Sequence, residues 1–159
     1  MATPPPVKPH VRIYRGIDPD LAEKAIDTVR NALPYMVFGP PLIHYAPSGE
    51  VHIDVPLMYH DYALDRVHFD PISRTPSPKG RPVHVYGVSI GAEEVKQVMD
   101  RILGELRVVD AAEFREPEDV WVVPLAWRSY IVAHIKVSRD GTTIIPDTAL
   151  TAEVRRYVV

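Results

Sequence analysis

Between residues 51 and 58 apolar side chains recur at every second position, Val51, Ile53, Val55 and Leu57, and leave His52, Asp54 and Met58 on the opposite side. A two-residue period fits a strand with one buried face, so this segment belongs in a sheet covered on one side. The same sorting of Leu64–Asp70 puts Val67 and Phe69 on the buried side and Arg66, His68 and Asp70 opposite. His84 and Tyr86 alternate with Val83 and Val85, and Tyr130, His134 and Lys136 with Ile131, Ala133, Ile135 and Val137. Near the start, His10, Arg12 and Tyr14 alternate with Val11 and Ile13.

Two stretches change to a helical period. Asp18 followed by Pro19 combines a capping side chain with proline at the first helical position, and Ala22, Ala25, Ile26, Val29 and Leu33 then share one face. From about Ala92 to Arg107, Val95, Val98, Met99, Ile102, Leu103 and Leu106 form a second apolar stripe. Strand-like runs cover Val11–Tyr14, Leu42–Ala46, Val51–Met58, Leu64–Asp70 and Pro82–Val88, then Val120–Leu125, Ser129–Val137, Thr142–Ile145 and about Glu153–Val158. Asp140-Gly141 is the clearest hairpin turn. The expected fold is α+β: a mainly antiparallel sheet with two helices on one face, an elaborated ferredoxin-like sandwich. Residues 11–159 make this single domain. Residues 1–10 form a Pro-rich arm in which Pro4, Pro5, Pro6 and Pro9 favour the extended polyproline form. Such an arm gains order by docking, so a homo-oligomer or larger complex is expected.

Composition narrows the chemistry. The absence of cysteine excludes thiol nucleophiles, Cys-ligated zinc and iron–sulfur clusters. Asn31 and Gln97 are the only side-chain amides and prolines number 17, a pattern that matches a thermophile's protein. The formal charge of −3 disfavours a nucleic-acid partner held by bulk electrostatics, while a local basic patch is still allowed. The first residues lack the apolar run of a signal peptide, and nothing approaches the roughly 20 apolar residues of a membrane span. A cytoplasmic protein without a membrane partner is expected. Walker loops, dinucleotide GxGxxG motifs and nucleophile elbows are missing.

Five of the seven histidines take the parity opposite the buried side. That face, with Arg12, Tyr14, Arg66, His84, Tyr86, Tyr130, His134 and Lys136, reads as a ligand-binding surface or a subunit interface. Within it, His52-x-Asp54 and His68-x-Asp70 repeat one spacing, and side chains two apart on a strand project together. Were the two strands neighbours, His52, Asp54, His68 and Asp70 could hold one divalent metal, zinc, manganese or iron, with an open position that activates water for hydrolysis. The same pairs serve general acid–base chemistry without a metal. His44 joins them if the turn at Ser48-Gly49 has three residues and a bulge, and faces away if it has two or four.

The run Ser48-Gly49-Glu50-Val51-His52-Ile53-Asp54-Val55-Pro56-Leu57 resembles the Ser-Gly…His strand motif of archaeo-eukaryotic primase-polymerase domains. The resemblance implies that His52 helps bind an incoming nucleotide. Ile17-Asp18-Pro19 falls in the right upstream order, but Gly16 stands where the family's first metal-binding aspartate would be. The strand Lys79–Tyr86 similarly resembles the central strand of an RNA-recognition motif, with Arg81 and Val83 in the places of its stacking aromatics. The leading expectation is a non-catalytic binding or assembly subunit that uses the His/Asp/Tyr/Arg face. The alternatives are a metal-assisted hydrolase built on the two HxD pairs, or a nucleotide or single-stranded nucleic-acid binder.

Overall fold

The computed structural model describes residues 13–15 and 18–158; the Pro-rich arm of residues 1–10 and Arg12 lie outside them. In chain order the elements are β1 (Ile13–Arg15), α1 (Pro19–Ala32), β2 (Met36–Phe38), β3 (Leu42–Tyr45), β4 (Glu50–Tyr59), β5 (Tyr62–Asp70), β6 (Thr75–Pro76) and β7 (Val85–Tyr86). They continue with α2 (Ala92–Leu103), β8 (Arg107–Val108), β9 (Ala111–Arg115), β10 (Val120–Trp127), β11 (Tyr130–Ser138), β12 (Ile144–Ile145) and α3 (Thr148–Val158).

The strands form two sheets. One runs β1-β9-β10-β11-β12 with β8 also on β10; the other runs β2-β4-β5-β6 with β3 and β7 also on β4. Pairing is antiparallel throughout except for β1, where Tyr14 runs parallel to β9 opposite Ala112. The α+β class therefore stands. Among the described residues there are two sheets and three helices, where a single sheet under two helices, an elaborated ferredoxin-like sandwich, was expected.

The sheets meet where β5 passes β11. There a carboxylate takes the place of a ladder partner: Asp65 accepts the His134 backbone N–H at 2.8 Å and the Lys79 ammonium at 2.8 Å. The backbone N–H of Lys79 donates to the Ile131 carbonyl at 2.8 Å, continuing the link. Between the sheets lies one core. It takes Ala25, Ile26 and Val29 from α1, Met99 from α2, Val55, Leu57, Val67 and Phe69 from β4 and β5, and Trp121, Val123 and Ile135 from β10 and β11. Side chains of this kind contribute about 1.5–3 kcal/mol each on full burial.

Local chemistry explains the boundaries. Asp18 caps α1 by accepting the Asp20 N–H at 2.9 Å, with Pro19 behind it. Gly39-Pro40-Pro41 divides what would be one strand into β2 and β3, both on β4. Pro56 fits opposite that break: its carbonyl accepts the Gly39 N–H at 2.8 Å, and its nitrogen, which has no hydrogen for a ladder, points the same way. The Asp140-Gly141 turn forms as expected, with Gly141 at φ 77 pressed against α1, where a Cβ would stand 3.0 Å from the Leu21 carbonyl oxygen.

The largest departure from expectation is the last element. Glu153–Val158 reads as a strand but lies in α3, which Asp147 starts by accepting the Leu150 N–H at 2.9 Å. Leu150 and Val154, one turn apart, pack with Leu42 and Ala63 in a small second core. Leu42 shares its sheet face with Asp54 and His44, so α3 covers one end of the face that was expected to be open. No helix among the described residues is long and apolar enough to cross a membrane.

Candidate functional site

The site grows from the β3–β4 turn. Pro47, Ser48 and Gly49 form a three-residue loop in which Ala46 and Glu50 close on each other at 2.8 Å, and Gly49 takes φ 88, where a side chain would be strained. That length settles the register: His44 stands directly opposite His52. On the other side of β4, Asp54 stands opposite His68 of β5, and Glu50 stands opposite Tyr86 of β7. Cross-strand partners share a face, so Glu50, His52, Asp54, His44, His68 and Tyr86 all project from the same side of the second sheet.

A chain of polar contacts runs across this face. Asp54 Oδ1 lies 2.6 Å from His68 Nδ1, and Asp54 Oδ2 accepts from Arg66 Nη1 at 2.9 Å. Arg66 Nη2 donates to Glu153 Oε2 of α3 at 2.9 Å, and Glu153 Oε1 lies 3.8 Å from His44 Nε2. A second group centres on Glu50 Oε1, 2.8 Å from His84 Nδ1 and 3.2 Å from His52 Nε2. Burial alone would raise the Asp54 pKa, but the hydrogen bonds and charges of His68 and Arg66 outweigh it and hold the carboxyl below its ordinary value. For Arg66, burial works to lower the pKa, and Asp54 and Glu153 reverse that, so the guanidinium is held more firmly charged. The Asp54 contact orients the His68 ring through Nδ1 and leaves Nε2 away from the carboxylate.

Beside these groups is a cleft of about 340 Å³. His52, Asp54 and His68 line it from β4 and β5, and Gly80–Val83 line it from the loop before β7. Arg81 is exposed at its rim and has no carboxylate partner among the described residues. Tyr86, 57% exposed, stands on the same face one strand over.

The structure thus divides the residues singled out in the sequence. His52, Asp54, His68, Arg66, His84 and Tyr86 come together. Asp70 is at the end of β5, where its carboxylate caps a turn through the Ile72 N–H at 2.8 Å. Among the described residues no three His, Asp or Glu side chains are placed to hold a metal ion. Tyr130, His134 and Lys136 lie on β11 in the other sheet. The Tyr130 hydroxyl donates to the Pro76 carbonyl at 2.8 Å and its ring meets Trp127 edge-on. His134 lines a separate cleft with Lys136 and Asp65, and burial pushes its pKa down.

Sequence reasoning missed Glu50, Arg81 and Glu153. Glu50 has the parity of His52, and strand Glu50–Tyr59 begins one residue earlier than the apolar alternation suggests. Glu153 was findable through Asp147 as a helix cap and through the Leu150/Val154 spacing. Arg81 carries no signal except its place in a loop rich in Pro and Gly.

No protein-family model, curated protein or solved structure matches this chain. The chemistry has to be read from the geometry. One imidazole is oriented by a carboxylate 2.6 Å away, a second stands beside another carboxylate, and a cation and an exposed aromatic ring lie on the same face. Such a set can hold a phosphate or similar anion by charge-assisted hydrogen bonds and stack a flat ring beside it.

Proposed function

We propose that this chain binds single-stranded nucleic acid on the open half of its second sheet. A backbone phosphate sits in the cleft against Arg81, His52 and His68, and a base stacks on Tyr86. The observation that carries the reading is one cleft lined by Arg81, which has no carboxylate partner among the described residues, and by His52 and His68, with the exposed Tyr86 on the same sheet face one strand over. The similarity of the Ser48–Leu57 strand to the nucleotide-binding strand of primase-polymerase domains supports it. The binding role does not depend on bulk charge, since one cleft engages only one or two phosphates. The slope of log affinity against log salt should then be shallow, about −0.7 per phosphate.

The hydrolase reading built on His52, Asp54, His68 and Asp70 is less favoured, because Arg66 and His68 already occupy Asp54 and a turn occupies Asp70. Assembly through residues 1–10 and a thermophilic source stay within the proposal; light scattering and a melting temperature above about 90 °C would support them.

The test is titration of a fluorescein-labelled oligouridylate at low salt. Tyr86→Ala and Arg81→Ala should each weaken binding about tenfold, a loss of about 1.4 kcal/mol. Lys136→Ala, on the other sheet, should leave it unchanged. Absence of binding at tens of micromolar, or equal losses from Lys136→Ala and Arg81→Ala, would overturn the reading.

A further inference from the structure

We infer that the same cleft cleaves RNA by transfer of the phosphodiester to the neighbouring 2′-hydroxyl, with His68 as base, His52 as acid and Arg81 on the phosphate. This rests on the proposed nucleic-acid site and adds a reaction to it. The argument begins with placement. His52 stands two positions before Asp54, and Asp54 is the cross-strand partner of His68, so the two histidines are diagonal neighbours on adjacent antiparallel strands. Diagonal neighbours have Cα atoms about 7–8 Å apart. A phosphate that accepts one hydrogen bond of about 3 Å from each side fills such a gap, with one imidazole near the entering oxygen and the other near the leaving one.

Each histidine also has a carboxylate at one nitrogen, which leaves the other for proton transfer. Asp54 Oδ1 lies 2.6 Å from His68 Nδ1, so Nε2 is the nitrogen turned to the substrate's proton in this reaction. Asp54 is shared with Arg66, so its charge is already partly neutralised. Glu50 Oε1 lies 3.2 Å from His52 Nε2 and 2.8 Å from His84 Nδ1, so the carboxylate that orients His52 is likewise shared. In this reaction His68, with the shorter carboxylate contact, takes the accepting role and His52 the donating one. Asp54 and Glu50 act as positioning residues.

In the reaction the 2′-oxygen forms a bond to phosphorus and the bond from phosphorus to the 5′-oxygen breaks. The 2′-hydroxyl proton goes to His68 Nε2, and a proton from His52 goes to the departing 5′-oxygen. Arg81 balances the charge that builds on the non-bridging oxygens. The products are a 2′,3′-cyclic phosphate and a 5′-hydroxyl, and exchange with water returns both histidines to their starting states. The two imidazoles supply both proton transfers and the 2′-oxygen is the nucleophile.

The experiment incubates the full chain with a labelled oligoribonucleotide and with its 2′-deoxy counterpart, in the presence of a chelator, and resolves the product ends. Cyclic phosphate ends from the RNA, no cleavage of the DNA, and losses of about 100-fold or more in both His52→Ala and His68→Gln are expected. Melting temperatures near that of the parent would show that both variants fold. Binding without cleavage overturns the inference and leaves the binding site standing; no binding overturns both. Cleavage that survives in both variants, that disappears with chelator, or that leaves 3′-hydroxyl ends also overturns it.

Discussion

Hairpin β4–β5 turns through His60 at φ 53 and slips its register between Leu57 and Met58. Hairpin β10–β11 turns through Arg128 at φ 54 and slips between Leu125 and Ala126. Both send their inner side chains into the same core. Their outer faces differ. On β10, Val120 and Val122, which alternate with the core residues Trp121 and Val123, are buried as well. On β4 the corresponding positions are Glu50, His52 and Asp54, partly or wholly exposed. From Val120 to Val123 strand β10 is buried on both sides, with the half-buried Lys136 and His134 outward on its partner β11, whereas the outer side of β4 itself carries charged and imidazole side chains. The backbone devices are shared, so the division of labour comes from the outer side chains and from what α3 covers.

The strongest way to break this contrast is to truncate one residue in each hairpin. Trp121 is 1% exposed, donates its indole N–H to the Arg139 carbonyl at 2.9 Å and meets Phe114 edge-on. Trp121→Ala should cost about 3–5 kcal/mol of unfolding free energy in urea titrations. His68→Ala, on the outer face, should cost less than about 1 kcal/mol while removing ligand binding. Equal losses would mean that the histidine face is part of the scaffold.

Arg66 gives the next largest effect, because it joins the two layers of the open face. It ties Asp54 of β4 to Glu153 of α3 with two bonds of 2.9 Å. Arg66→Ala leaves the half-buried Asp54 with one partner and should cost about 1–2 kcal/mol, with solvent screening reducing the upper figure. Hydrogen exchange should speed up in α3 while β10 and β11 amides keep their protection. Faster exchange spread evenly over both sheets would show that α3 is not held in this way.

Acid separates the hairpins by different titrations. Asp54 has its pKa lowered in the fold, so its contribution is present above the unfolded value of about 3.9 and is lost as pH falls through the lower folded value. His134 of β11 is also lowered: burial comes first, Lys79 and Arg115 add to it, and Asp65 and Glu113 oppose it. The stability it contributes is present above the unfolded value of about 6.5 and is lost as pH falls from there through its folded value. Unfolding free energy measured from pH 8 to 3 should fall in two phases. His134→Gln should remove the one in mildly acidic solution, and Asp54→Asn the one below pH 4. A mild phase that survives His134→Gln would break the assignment.

How much of this was legible depended on period. The alternation in Val51–Leu57 and Val67–Phe69 named the inner face correctly, since those residues are buried. It therefore named the outer residues His52, Asp54 and His68. Parity holds along a strand only where its register is unbroken and does not carry between sheets: His134 and Lys136 point outward on the other sheet, and the register slip in β10–β11 sets Tyr130 opposite Trp127 and against the core. The division into two sheets is set by contacts such as Asp65 with the His134 amide, which join residues far apart in the chain. Six residues, Glu153–Val158, are too few to distinguish a period of 2 from one of 3.6, and only the cap at Asp147 resolves them.

The turns supply the smallest effect and the finest comparison. His60 and Arg128 both occupy the left-handed region, which costs a non-glycine residue about 1–2 kcal/mol. Glycine removes that strain but loses about 0.5–1 kcal/mol to the unfolded chain, so His60→Gly should stabilise by about 0.5 kcal/mol. His60 keeps a tilted contact with the Tyr59 ring at 4.3 Å, whereas Arg128 has two contacts: its guanidinium lies 4.2 Å from the Trp127 ring centre, and its carbonyl accepts from Arg107 Nη2 at 2.9 Å. Loss of the cation–π contact removes about 0.5–1 kcal/mol, so Arg128→Gly should be neutral or slightly destabilising. Paired urea titrations at one pH measure the difference. If Arg128→Gly gains as much as His60→Gly, the guanidinium over Trp127 contributes nothing, and hairpin β10–β11 is held by its core residues and its ladder alone.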